Sequence, residues 1–137
     1  MDNIDDFILK NLMYGLYINE LLIGFLIIKT SRKFNVDFSS EKIDTFYIQE
    51  VYIDKNYRER RLATLLLQYA ILICPINKKY ISLITYESNP MLKLSQLCCK
   101  FILQQTETEC PVNKKLLIRK MEEEDFKSIS KRLTPSK

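Results

Sequence analysis

Apolar and polar residues along this chain of 137 residues follow two periods, one typical of strands and one typical of helices. Strand-like runs are predicted at 14–18, 21–29, 44–53, 80–86, 101–105 and 114–121. The first two are separated only by Asn19 and Glu20, which predicts a hairpin. The run 21–29 is apolar at both parities, so we expect it to be covered on both faces. The polar stretch 30–42 is predicted to be a loop.

Apolar residues at helical spacing predict two central helices. One helix is expected over 60–72 and ends before Pro75; its apolar face consists of Leu62, Leu65, Leu66, Tyr69 and Ile73. The second begins at Ser88-Asn89-Pro90, where a capping side chain precedes a proline, and continues through Cys98.

The two ends of the chain carry weaker helical patterns. A short helix is predicted within 1–13 from the spacing of Ile4, Phe7, Ile8 and Leu12. In the tail 122–137, acidic residues come first and basic residues last, which favours a short helix, but a loose tail is the alternative.

The order of these elements predicts one domain over 1–137. Three strands, a helix, a strand, a helix and two final strands are typical of an α/β (α+β) fold in which helices flank a mixed, mostly antiparallel sheet. A content of 47% hydrophobic and 28% charged residues fits such a globular domain.

Composition excludes several classes of function. The chain has no histidine, which removes His-based catalytic triads and nearly all zinc sites, and we expect no metal. A net charge of +4 is mildly basic, but the basic clusters are not interleaved with aromatic residues, so we expect no nucleic-acid partner. No apolar run approaches the roughly 18 residues of a membrane helix. Without a basic amino-terminal region or paired cysteine motifs, a cytoplasmic protein with reduced thiols is expected.

The segment Val51 to Leu67 resembles the acetyl-coenzyme A motif of the GNAT N-acetyltransferase superfamily. That motif is a strand, a loop and a helix; in the loop, an Arg or Gln is followed three residues later by a glycine and five residues later by a glycine or alanine. Arg58 occupies the first of these positions, Arg61 the first glycine position and Ala63 the last. The strand 80–86, Asn89 and Phe101 also resemble family features, so the resemblance covers about 14–121.

The resemblance implies that acetyl-coenzyme A binds at the loop and the helix that follows. Backbone amides at a helix N-terminus, together with positive charge, suit a pyrophosphate. The implied cofactor-binding residues are Val51, Ile53, Arg58, Glu59, Arg60, Arg61, Leu62, Ala63, Thr64 and Asn89. The acceptor would be a primary amine of a small molecule or a protein. Glu50 is the candidate general base, with a plain surface carboxylate as its alternative, and Tyr86 is a candidate acid.

Several positions depart from the family pattern. Arg61 and Lys100 replace glycines, and Gln96 stands where an acidic tyrosine is common. Arg61 could contact phosphate or fill its space. Because few residues precede the first predicted strand, one wall of the acceptor site would be short, and we expect a homodimer. These departures leave open a second hypothesis, a catalytically inactive GNAT-fold protein that acts as a binding or structural subunit.

Overall fold

A computed structural model describes residues 11–104 and 113–122 of this chain. The elements are β1 (Asn11–Ile18), β2 (Leu21–Val36), β3 (Ser39–Ile53), a 3-10 helix (Lys55–Arg60), α1 (Leu62–Ile73), β4 (Tyr80–Tyr86), α2 (Met91–Cys99), β5 (Ile102–Leu103) and β6 (Lys114–Lys120). The predicted order of strands and helices and the mixed α+β class are therefore confirmed.

The strands form one six-stranded sheet in the order β1-β2-β3-β4-β6-β5. Only β3 and β4 are parallel, and they pair over a short register from Phe46↔Ile81 to Ile48↔Leu83. A parallel pair needs a crossover connection, which α1 supplies. The other neighbouring strands are antiparallel.

Both helices pack on the same face of the sheet. Leu66, Leu67 and Ala70 of α1 and Cys99 of α2 share one buried cluster with sheet residues such as Phe46. Asn89 caps α2, because its side-chain oxygen accepts the backbone N–H of Met91 at 2.9 Å. The predicted capping side chain is therefore confirmed.

The prediction of a loop over 30–42 is wrong. Strand β2 continues to Val36, the chain turns at 37–38, and β3 begins at Ser39. The alternating residues Phe34 and Val36 are buried, but the polar residues around them hid this period. We call residues 30–42, the outer part of this hairpin, the arm.

The arm folds over the face of the sheet opposite the helices, which we call the second face. Phe34 and Val36 pack with Tyr47, Leu116 and Ile118 in a second buried cluster. At the tip, the backbone N–H of Asp37 donates to Oε1 of Gln104 at 3.0 Å. The ring of Phe38 lies 5.5 Å from the ring of Tyr80. These contacts show that the arm supplies part of the layer that covers the second face.

Several element limits differ from those predicted. Asn11 to Met13 belong to β1 and not to a helix within 1–13, while residues 1–10 lie outside the described residues. The first central helix begins at Leu62, because residues 55–60 form a 3-10 helix. Strand β5 is shorter than the predicted 101–105. The predictions for 123–137 also lie outside the described residues.

Candidate functional site

A cleft opens in the sheet where β3 and β4 stop pairing. Their register ends at Ile48↔Leu83, although β3 continues to Ile53 and β4 to Tyr86. The edge of β3 beyond Ile48 therefore has no register partner in β4. An unpaired strand edge presents backbone donors and acceptors that a ligand can use.

A β-bulge at Gln49 determines which way the next residue of β3 points. Ile28 pairs with Ile48 and Ile27 pairs with Glu50, so Gln49 is an extra residue without a register partner in β2. The bulge changes the parity of β3: Ile48 and Val51 both pack on the helix side. Glu50 consequently lies on the second face, where it is exposed.

The segment between β3 and α1 is held by local hydrogen bonds. The side chain of Asp54 accepts the backbone N–H of Asn56 at 3.0 Å. Nε of Arg58 donates to the backbone oxygen of Ile53 at 2.9 Å, and its guanidinium lies 5.8 Å from the ring centroid of Tyr52. Arg58 is thus tied to the end of β3, while its side chain stays exposed.

Helix α1 begins with free backbone donors. Its first helical bond runs from the N–H of Leu65 to the oxygen of Arg61 at 3.2 Å, and among the described residues no side chain caps this end by a hydrogen bond. The N–H groups of Leu62, Ala63 and Thr64 have no acceptor within the helix because they precede its first complete turn. They can serve as donors to an anion, and the helix dipole favours negative charge at this end.

Two adjoining cavities connect this helix start with the cleft. The larger, of about 390 Å³, is lined by Glu50, Val51, Tyr52, Ile53, Arg58, Ala63, Asn89, Pro90, Met91 and Leu94. The smaller, of about 200 Å³, lies in the cleft between β3 and β4 and is also lined by Glu50, Val51, Asn89 and Met91. The two cavities therefore adjoin at these four shared residues.

The structure brings together most of the residues predicted for the site. Six of them line the larger cavity: Glu50, Val51, Ile53, Arg58, Ala63 and Asn89. Tyr86 lines the cleft, and Nζ of Lys114 lies 4.9 Å from the centroid of its ring. Leu62 packs on the helix-side core, and Thr64 is half-buried. The roles predicted for these residues remain predictions.

Of the predicted residues whose side chains the structure describes, Arg61, Leu62 and Thr64 line neither cavity. Arg61 is exposed. Its backbone is left-handed, with φ 60° and ψ 22°. The predictions for the side chains of Glu59 and Arg60 lie outside the described part of the chain.

The two replaced glycines share one backbone conformation. Lys100, at the end of α2, has φ 61° and ψ 28°, close to the values of Arg61. Both residues therefore keep a left-handed conformation that glycine adopts without strain. Gln96, where the family often has a tyrosine, is exposed on α2.

The described cysteines fit a structural role better than a catalytic one. Cys74, Cys98 and Cys99 are free thiols. Burial raises the pKa of Cys74 to about 12 and that of Cys99 to about 11, which keeps both thiols protonated at neutral pH. Cys99 packs in the helix-side core, and Cys98 is exposed.

Sequence reasoning missed several residues of the cleft. Lys114, Gln49, Met91 and Leu94 line the cavities and were not predicted. Met91 and Leu94 have a helical pattern that predicts only a core face. No sequence pattern places Lys114 at the cleft, because it is distant in sequence from β3.

Comparison with known proteins identifies the family. The sequence model of the acetyltransferase (GNAT) family matches residues 4–93, more than half of the chain. A search of curated protein sequences finds no match. Within the described residues, no helix is long and apolar enough to cross a membrane.

Solved structures share the fold at low sequence identity. A Bacillus subtilis acetyltransferase in complex with coenzyme A is similar with a TM-score of 0.63 and 14% identity, over 87% of this chain and 82% of that one. The PaiA N-acetyltransferase of Thermoplasma acidophilum with coenzyme A gives 0.59 and 16%, over 82% of this chain. The present chain spans only 62% of the length of PaiA. The AtaT toxin bound to the C-terminus of its antitoxin AtaR gives 0.59 and 16%, over 91% and 72% of the two chains.

Proposed function

This chain belongs to the acetyltransferase (GNAT) family, and from that membership we propose that it is an N-acetyltransferase that uses acetyl-coenzyme A. The cofactor would bind along the larger cavity. The acetyl group would pass to a primary amine, of a small molecule or a protein, that enters the cleft between β3 and β4.

The observation that carries this proposal is a cavity that combines a set of anion donors with an apolar lining. Arg58 lines this cavity beside Ala63, where the amides that begin α1 are uncapped. Such a donor set suits a pyrophosphate. The interior carries apolar side chains from Val51, Met91 and Leu94, which suit an extended pantetheine arm. The residues present therefore fit the cofactor.

The chemistry that the cofactor supplies when bound is a thioester, whose carbonyl carbon bonds to the amine nitrogen while the carbon–sulfur bond breaks. The chain contributes mainly by positioning, since the open edge of β3 can hold the reacting groups side by side. A proton must leave the amine, and Glu50 lies on the second face of the sheet at the cleft, where the acceptor would enter. We propose Glu50 as its acceptor, directly or through water.

Tyr86 is our candidate for the group that returns a proton to the departing sulfur. Its side chain lines the cleft at the end of β4, opposite the Glu50 end of β3. Gln96 cannot fill this role because an amide does not release a proton at neutral pH.

A second candidate function is a binding subunit without turnover. The specific observations in its favour are Arg61 and Lys100, two large cations with left-handed backbones at positions where the family resemblance implies glycine. Under this alternative, coenzyme A would bind without transfer of the acetyl group to any amine.

The cofactor proposal is tested by thermal unfolding with and without acetyl-coenzyme A. A ligand that binds only the folded state at about 100 times its Kd stabilises it by about 2.7 kcal/mol, so the wild-type Tm should rise by several degrees. Arg58→Glu should remove most of this rise. Because Arg58 also bonds Ile53, the unliganded Tm of each variant is measured first.

Lys55→Glu is the matched control. It reverses a charge in the same 3-10 helix, and Lys55 is exposed and lines neither cavity. This variant should keep the full rise. If the wild-type protein shows no rise at millimolar acetyl-coenzyme A, the enzyme proposal is wrong and so is the binding subunit.

Homodimer formation, expected from the sequence, also becomes a proposal. Its support is an apolar groove of about 550 Å³ between β1 and α1, lined by side chains including Met13, Leu65 and Tyr69. These three side chains are exposed, and β1 is an edge strand of the sheet. A second copy would cover this surface. The cytoplasmic compartment stays a prediction.

A further inference from the structure

Opposite charges face each other across the cleft on the second face of the sheet. Glu50 lies on this face because it follows the bulge and pairs with Ile27, next to the stacked rings of Phe25 and Tyr52, which are 5.2 Å apart. Directly opposed residues of an antiparallel pair share a face. On the other side of the cleft, Lys114 of β6 lies directly opposite Tyr86 of β4 in their antiparallel register.

Lys114 lies on the same second face as Glu50. Lys114 precedes Leu116 by two residues and Ile118 by four, and both of these belong to the second buried cluster. Because alternate residues of a strand share a face, Lys114 lies on the same face as they do. Its Nζ atom rests 4.9 Å from the ring centroid of Tyr86. Glu50 and Lys114 both line the cleft cavity of about 200 Å³.

The two charges are separated by the width of the cleft. In the sheet order, β4 lies between β3 and β6, so the two backbones are at least two strand spacings apart, about 10 Å. The distance is larger where β3 and β4 diverge. Within residues 11–104 and 113–122, the ion pairs are Lys78–Asp44 and Lys115–Glu87, so neither Glu50 nor Lys114 is neutralised by a described partner.

The arm adds a further positive charge to this face. The guanidinium of Arg32 lies 4.5 Å from the ring centroid of Tyr47 and 4.7 Å from that of Phe34. Tyr47 itself lines the cleft. Lys29, which pairs with Tyr47, is exposed on the same face. Arg32 and Lys29 thus add positive charge to the second face on the Tyr47 side of the cleft.

From this arrangement we propose that the acceptor carries an anionic oxygen group close to its amine, and that Lys114 binds that group while the amine lies toward Glu50. The anionic group is a carboxylate or a phosphate, since an ammonium group recognises both. This inference rests on the proposed acetyltransferase function and names the acceptor class for the same cleft.

The test compares three primary amines on one two-carbon frame: β-alanine, O-phosphoethanolamine and ethanolamine. Release of coenzyme A from acetyl-coenzyme A gives kcat/KM for each. We expect one or both anionic amines to exceed ethanolamine by about tenfold or more, the typical effect of a hydrogen bond to a charged group. Which of the two is better distinguishes carboxylate from phosphate.

Two variants of Lys114 and one control variant test whether Lys114 causes the preference for anionic amines. Lys114→Gln should reduce the ratio of anionic to neutral amine toward one, and Lys114→Glu should reverse it in favour of ethanolamine. Lys115→Gln is the control, because Lys115 is the next residue on β6 and faces the other side of the sheet. Its Nζ atom forms an ion pair with Oε1 of Glu87 at 3.1 Å. This variant should keep the wild-type ratio. Circular dichroism and the unliganded Tm verify that each variant is folded.

The outcomes separate this inference from the function on which it rests. If acetyl-coenzyme A neither binds nor releases coenzyme A, the acetyltransferase proposal fails and the acceptor class fails with it. If transfer occurs without an anion preference, or with one that Lys114→Glu leaves unchanged, only the present inference is overturned. If no amine is acetylated, the binding of the three amines to the coenzyme A complex is measured by calorimetry in place of kcat/KM. Equal binding of the three amines, or no binding, overturns the inference about the acceptor class.

Discussion

Arg61 joins the 3-10 helix to α1 in a conformation that its side chain disfavours. Its φ of 60° lies in the left-handed region, where a residue with a Cβ costs about 1–2 kcal/mol relative to the right-handed one. Glycine has no such cost, but it loses about 0.5–1 kcal/mol more conformational entropy on folding. We therefore expect Arg61→Gly to be more stable than Arg61→Ala by about 0.5–1 kcal/mol.

Alanine is the correct reference because the Arg61 side chain contributes little to the fold. It is exposed and forms no hydrogen bond or ion pair with another residue in the described ranges. Arg61→Ala should thus have a stability close to that of the wild type. The difference between the Gly and Ala variants then isolates the backbone, and it corresponds to a rise in Tm of about 2–5 °C.

The free energy of unfolding of each variant is measured by denaturant unfolding, and variants are compared at the same m value. Two other positions serve as comparisons. Lys100 has nearly the same left-handed backbone, so its Gly variant should also exceed its Ala variant. Gln68 is exposed in the middle of α1, and there Gly should be less stable than Ala by about 1 kcal/mol. If Arg61→Gly is no more stable than Arg61→Ala, the backbone at this position is not left-handed in solution.

The remaining predictions concern the base of the arm and the apolar groove. Burial alone would raise the pKa of Asp44, but hydrogen bonds from Lys78 and Ser31 outweigh it and hold the pKa below its ordinary value. The ionised carboxylate therefore stabilises the fold above about pH 4, and this contribution should disappear as the pH falls through the folded-state pKa. The stability advantage of the wild type over Asp44→Asn in denaturant unfolding should shrink over that range, and an advantage that persists at lower pH would contradict the ion pair. Sedimentation at micromolar concentration should show a dimer that Leu65→Glu, in the groove, dissociates and that Ile76→Glu, exposed outside the groove, does not; a monomeric wild type removes the homodimer proposal.

Features that depend on neighbouring residues could be predicted from the amino-acid sequence. The order of elements and the cap at Asn89 follow from periodicity and capping, which are interactions within a few residues. The hairpin at Asn19 is of the same kind, because asparagine tolerates the left-handed φ of 57° found there. The predicted face of α1 was wrong in part: Leu65 and Tyr69 are exposed, and the buried residues are Leu66, Leu67 and Ala70. The resemblance of the segment 51–67 to a family motif pointed to Arg58 and Ala63, which the structure places on one cavity wall.

Which residues face each other across the sheet could not be predicted, because it depends on segments that are far apart in the sequence. The arm was mistaken for a loop because Phe34 and Val36 are buried by Leu116 and Ile118, which belong to a strand far along the chain. The bulge at Gln49 reverses the parity of β3 through its register with β2, and no local pattern marks it. Glu50 and Lys114 line the same cleft because, in the sheet, β6 lies next to β4 and β4 lies next to β3. Strand order and register depend on contacts between distant segments, and hydrophobic periodicity within one segment does not encode them.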